Sequence, residues 1–207
     1  MTYSIDQTKD LKKQAVIYGI ILGIVSLILS IISIYISKSA TSLFLSSAIN
    51  ILVNYVLFLA LAVYFVLQLR KLVGGYWTFS IALKNIFIVL AISAVIGVLG
   101  VNLFNLVNPI PQEEAIDNTI NLTIEMLEAA NSSDEQIDKT IELLEQQKEA
   151  LGSLTIGILL RGLMVSLILY FILSLVFAAI FKREKLMFSS PNQPVNPDST
   201  IEEDKNI

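Results

Sequence analysis

Apolar positions in this chain fall in long unbroken runs rather than alternating stripes, and the lengths of the runs define its surroundings. No charged residue occurs from Ala15 to Ile36 or between Leu43 and Leu69. A third run, from about Phe79 to Val107, carries only Lys84 near its start, and a fourth, from about Leu154 to Phe181, only Arg161. Each helical residue rises about 1.5 Å and the hydrocarbon layer is about 30 Å thick, so roughly 20 apolar residues cross a bilayer. All four runs reach that length, and backbone inside lipid must satisfy its own hydrogen bonds, so they predict four transmembrane helices, the second beginning near Ser47.

The pattern changes after Pro109 and Pro111. Ile116, Ile120, Ile124 and Leu127 recur at helical spacing and predict one amphipathic helix from about Gln112 to Ala130. Asn131-Ser132-Ser133 breaks it; Ser133, with Gln136 three residues on, forms a capping-box pattern that opens a second helix with Ile137, Ile141, Leu144 and Leu151 on one face. Gly152 and Ser153 then either kink the chain or let that helix run on into the fourth span. The predicted fold is an all-α membrane protein: a four-helix transmembrane bundle with an acidic extracytoplasmic helical hairpin between the third and fourth spans. Its segments are residues 1–14, 15–107, 108–153, 154–181 and 182–207, the last starting basic and becoming disordered around Pro191, Pro194 and Pro197.

Charge adds orientation. Lys9, Lys12 and Lys13 precede the first span, Arg70 and Lys71 follow the second, and Lys182, Arg183 and Lys185 follow the fourth. Basic flanks stay in the cytoplasm, so both termini are expected there, in the inner membrane. The opposite flanks hold Lys38, Lys139 and Lys148, together with 11 of the 18 acids, all between Glu113 and Glu149. A cleaved signal peptide is the competing reading of the first span, but its apolar run is longer than the roughly 7 to 15 residues of a signal core. The acids are expected to form a solvated face; cation binding or docking to a basic partner is the functional alternative, and no EF-hand loop is present.

Composition narrows the chemistry. Only 15% of the 207 residues are charged and 55% are hydrophobic, against about a quarter charged in soluble domains. There is no Cys and no His, which removes thiolate nucleophiles, imidazole bases and Cys/His metal sites, so neither metal nor cofactor is called for. A net charge of -4 argues against nucleic acid as a partner.

Within the spans, Gly19, Gly23, Ser26, Ser30, Ser33 and Ser37 trace a heptad stripe of small residues, beginning with a GxxxG pair, that is expected to press against another helix of the same monomer. A second group is polar. Arg161, Asn54 and Asn102 are each expected roughly 8 to 10 Å below the membrane surface, counting about 1.5 Å per residue, with Asn50 and Asn105 nearer to it. A charge in a span is costly, so Arg161 should face the interior, a wet cavity or an anionic headgroup, with asparagine carbonyls as acceptors. Such a cluster either locks the helices together or lines an outer recess for a lipid phosphate or small anion. With no acid inside the spans, a proton relay is not expected.

Gly74-Gly75-Tyr76-Trp77-Thr78-Phe79, followed by Ala82 and Lys84, resembles the signature of a bacterial four-span family known as domain of unknown function 4199. The order of parts over roughly Lys12 to Lys185 is similar as well. The resemblance implies a bacterial inner membrane but no activity. Read locally, the glycines permit a tight turn, Tyr76 and Trp77 anchor at the interface, Thr78 caps the third span and Lys84 snorkels to headgroups.

Three function classes remain in view. First is a non-catalytic accessory or structural protein that binds membrane lipids and a membrane-protein partner or a second copy through its helix faces and hairpin. Second is a small transporter, channel or lipid- or anion-binding protein using the recess around Arg161; against it stands the expectation that no helix breaks at mid-membrane. An enzyme ranks last, because no nucleophile and base arrangement is visible.

Overall fold

The computed structural model describes residues 5–151 and 156–183. Expectations about Gly152, Ser153, Lys185 and the proline-containing tail lie outside them. The described residues are almost wholly helical: α1 (Ile5–Lys38), α2 (Leu43–Ile51), a π-helical turn (Leu52–Val56), α3 (Leu57–Leu72), α4 (Phe79–Val107), α5 (Ile110–Ala129), α6 (Asp134–Leu151) and α7 (Ile156–Phe181). Four continuous helices are long and apolar enough to cross a membrane: Thr8–Lys38 within α1, Leu43–Leu72 combining α2, the π turn and α3, then α4 and α7. The second starts at Leu43, about a turn before the expected Ser47, because Ser42 in extended conformation already sets the helix N-terminus.

The first and third spans form the central pair, with α1 packed along α4, α7 on another flank of α4, and α3 touching α1, α4 and α7. Small residues decide how close the central pair comes. A Cβ on Gly19 would lie 2.9 Å from both Ile92 Cβ and the Val89 carbonyl oxygen, and one on Gly23 would lie 2.8 Å from Ile96 Cβ. Lipid offers helices no hydrophobic reason to associate, so backbone approach of this kind and the dispersion contacts it permits hold the pair. The start of the stripe is thus occupied inside the monomer.

Packing is uneven along the bundle. The buried apolar core gathers at the end where α1 begins and α7 finishes, around Leu11, Ala15, Phe65, Leu69, Trp77, Ile86, Phe177 and Ala178. We call this the closed end. Rings stack there, Tyr18 on Phe65 at 4.7 Å and Phe177 edge-on to Phe181 at 5.8 Å.

The glycine turn completes the closed end. Gly75 N–H donates to the Arg70 carbonyl and Gly74 N–H to that of Lys71, both at 3.0 Å, a Schellman arrangement that stops α3. It requires left-handed backbone, which Gly74 (φ 73°) and Gly75 (φ 83°) adopt without a side-chain penalty. The chain then turns inward. Trp77 is fully buried rather than lying at the interface. Its backbone pairs with Arg183 in an antiparallel bridge (2.9 and 3.1 Å), and its indole N–H donates to the Phe181 carbonyl at 2.8 Å. The Arg183 guanidinium lies 5.5 Å from the centroid of the Tyr76 ring. An indole N–H that is taken from water needs an acceptor, and the unpaired carbonyls at the end of α7 supply it. Thr78 stands at the N-cap of α4 in extended conformation but makes no side-chain capping bond, which corrects the expected cap. Ala82 is buried, Phe79 packs against the core and Lys84 is exposed.

At the other end α5 packs on the end of α1 and touches α2 and α6. Asn118 is the fastener, its amide donating at 2.8 Å to the carbonyls of both Ser37 and Ala40 in the turn that leaves α1. Lys38 pairs with Glu114, and Lys148 of α6 reaches the Asp117 carboxylate at 2.5 and 2.7 Å. The hydrogen bond to Asp117, reinforced by its charge, raises the pKa of Lys148 against a lesser opposing effect of desolvation. Ala115, Ile116 and Thr123 form the buried face of α5.

Candidate intramembrane recess

Between the closed end and α5 the four spans separate around an open cavity of about 560 Å³. Every span contributes polar or small residues to its wall. Ser26, Ser30 and Ser33 come from α1, Asn54 and Tyr55 from the π turn, Ser93, Gly97 and Asn102 from α4, and Gly162, Ser166 and Tyr170 from α7. Phe58 stacked on Tyr170 at 5.5 Å marks its boundary toward the packed core. A ligand site is usually a concavity of this size, largely apolar with a few placed polar groups; Leu29, Phe58, Val98 and Val101 supply the apolar part.

The π turn holds Asn54 and follows Asn50. The Asn54 amide donates to the Asn50 carbonyl one turn back at 3.3 Å and also to the Ser33 hydroxyl. Such π turns recur at functional sites, and this one widens the second span without breaking it. Asn50 extends the polar seam by donating to Ser37 Oγ at 2.9 Å and Ser46 Oγ at 3.5 Å, while its own Oδ1 is buried without a partner.

Two smaller concavities share walls with the cavity. One, of about 380 Å³, shares Asn54 and Tyr55 and continues past Asn50 and Ser37 to Thr119 of α5. The other, of about 240 Å³, shares Ser33 and reaches Gln112 of α5 and Gln147 of α6. Together they extend the polar lining from mid-span to the helices between the third and fourth spans.

The residues singled out by sequence are only partly brought together. Asn54 and Asn102 line the cavity, Asn50 lines its extension, and Asn105 is buried elsewhere on α4 with an unpartnered Oδ1. Arg161 does not join them. It is exposed on α7, does not line the cavity and forms no hydrogen bond or ion pair with the described residues. The adjacent Gly162 is the residue that faces inward, because one step along a helix rotates a side chain by about 100°. Sequence reasoning passed over Ser93, Ser166, Tyr170 and Tyr55. A signal for α7 was available: Gly162, Ser166, Tyr170 and Ser174 follow one another at intervals of four, a polar or small stripe in an otherwise apolar helix.

Four spans, a polar recess between them and a glycine turn locking the closed end define a multi-pass helical membrane protein. The chain belongs to the family described as "Protein of unknown function (DUF4199)", whose profile matches residues 17–183, from within the first span to the Arg183 that pairs with Trp77. No curated protein and no solved structure matches it.

Proposed function

We propose that this protein is a non-catalytic binding protein of the bacterial inner membrane, which holds an amphiphilic molecule in the recess between its spans. Both termini are cytoplasmic in this reading, and α5 and α6 form an acidic extracytoplasmic hairpin above the recess. The observation that carries the proposal is the cavity of about 560 Å³, lined from all four spans by serine, asparagine and tyrosine within a bundle that is otherwise apolar. Asn54 and Asn50 close on serines of α1, but Ser93, Asn102 and Ser166 bond only within their own helices and face the cavity across open space. Entry from the bilayer is supported by the packing. Above the Phe58–Tyr170 stack the second span lies on α1 and α5, and no substantial packing joins α2 or the π turn to α7.

Orientation rests on the basic residues at the closed end, Lys9, Lys12, Lys13, Arg70, Lys71, Lys182 and Arg183, opposite the acids of α5 and α6. Of the lysines at the acidic end, Lys38 and Lys148 are paired with carboxylates.

A chain without cysteine permits a direct test. Single-cysteine variants are exposed in spheroplasts to a thiol reagent that is soluble in water and does not cross membranes. Glu135→Cys and Ser166→Cys are expected to react, whereas Lys71→Cys and the fully buried Ser174→Cys are not. Failure of Ser166→Cys to react overturns the open recess, and labelling of Lys71→Cys together with Glu135→Cys overturns the orientation.

A further inference from the structure

Which ligand the recess accepts depends on how its polar groups spend their protons. Backbone carbonyls only accept, so a hydroxyl or amide bonded to one must be the donor. Ser26 donates to the Gly23 carbonyl at 2.9 Å, Ser93 to that of Leu90 at 2.8 Å, and Ser166 to that of Gly162 at 2.9 Å. The Asn102 amide donates to the Val98 carbonyl at 2.7 Å, which fixes the orientation of its side chain and leaves Oδ1 as its free oxygen. These four side chains have turned a proton back onto their own helices and leave oxygen lone pairs for the cavity, while the Tyr55 and Tyr170 hydroxyls in the same wall retain protons to donate. Among the described residues no Lys, Arg, Asp or Glu lines the wall, and Arg161 is exposed and outside the lining.

From this polarity, and resting on the binding function proposed above, we infer that the recess takes an uncharged, hydroxyl-bearing headgroup and rejects phosphate and carboxylate. An anion entering it would give up water for neutral groups, most of them presenting lone pairs, without a cation to meet it, a desolvation cost that two tyrosine hydroxyls offset only in part. A bare cation would find acceptors but no countercharge. A neutral hydroxyl donates to the oxygens of Ser26, Ser93 and Ser166, accepts from a tyrosine hydroxyl and carries no desolvated charge, while Leu29, Phe58 and Val101 accommodate the start of an acyl chain. Ser93, 98% buried by its 2% exposure and yet part of the cavity wall, is the deepest of these acceptors. The inference replaces the anion expected around Arg161 with a donor recognised around Ser93 and Ser166.

The test compares two lipids that differ only at the headgroup. The full-length protein, released from neutral detergent into a native mass spectrometer, is offered dioleoylglycerol or dioleoylphosphatidate at equal concentration. Dioleoylglycerol is expected to remain bound at least about tenfold better, a ratio corresponding to about 1.4 kcal/mol. The double variant Ser93→Ala with Ser166→Ala, which removes two hydroxyls without adding bulk, should lower that retention roughly tenfold. Arg161→Gln should leave it unchanged. Phosphatidate retained equally or better, or a double variant that binds as before, overturns the inference. Absence of diacylglycerol binding while Ser166→Cys still reacts from outside refutes this ligand class alone; loss of that reactivity as well refutes the recess.

Discussion

The closed end and the recess are built from the same four helices and differ in what the helices place between them. At the closed end aromatic and branched residues interlock, with Trp77, Leu69, Ile86 and Ala178 fully buried and the bridge between Trp77 and Arg183 tying the entrance of the third span to the exit of the fourth. Around the recess many of the facing residues are glycine, serine and asparagine, whose side chains fill less space, and α7 buries only Ser174, Phe177 and Ala178 among its described residues, all toward its C-terminal end. One end is therefore a clamp and the other an opening. In lipid this contrast follows from chemistry: where dispersion contacts are dense the spans hold, and where small polar residues of α4 and α7 bond back to their own helices, a cavity persists.

The clamp should be broken most severely by Trp77→Ala. Removing a buried indole from such a core costs about 3–5 kcal/mol, and in this chain the end of α7 would also lose its side-chain fastening. Equilibrium unfolding in mixed micelles should show a large loss of stability, and the contrast fails if the variant unfolds like the parent. Gly23→Leu attacks the contact between the central pair, where even a Cβ approaches Ile96 to 2.8 Å. Overpacking of this kind costs about 1–3 kcal/mol, and the same assay should register it. At the recess the expected effects are smaller. Asn54→Leu removes the amide that captures the Asn50 carbonyl and should cost about 0.6–1.7 kcal/mol, the scale of polar contacts between membrane helices. Its sharper readout is lowered reactivity of Ser166→Cys in the same chain, because leucine fills space and removes the amide beside the π turn.

The smallest effect belongs to the ion pair of Asp117 and Lys148. Folding raises the pKa of Lys148, so its stabilising contribution is fully present below the ordinary lysine value and is lost as pH rises through the raised one. Lys148→Met should thus lower melting only slightly at neutral pH, as expected of an exposed pair, and the difference from the parent should vanish in strong alkali.

Much of the scaffold was legible because lipid enforces simple rules on length and polarity. The third span was read at Phe79–Val107, where the structure has α4. The helices after it were placed within two residues of α5 and at the start of α6, since proline, asparagine and serine mark their limits in the sequence itself. The recess was harder to read. Asn54 and Asn102 were identified because asparagine in a span is conspicuous, but Arg161 was grouped with them on depth alone, and depth carries no information about azimuth. Ser93 and Ser166 were missed because serine returns its proton to its own helix and is common in spans where nothing binds.

The sequence by itself determined that the chain crosses a membrane with four helices and separates its basic residues from its acids, since uninterrupted apolar length is a local property that needs no partner to be recognised. Only the tertiary structure decided which faces meet. It turned Trp77 into an internal lock, Gly19 and Gly23 into the seat of α4, and scattered serines on three spans into one wall, because the rotation of each helix about its axis is set by packing among all of them and is written in none alone.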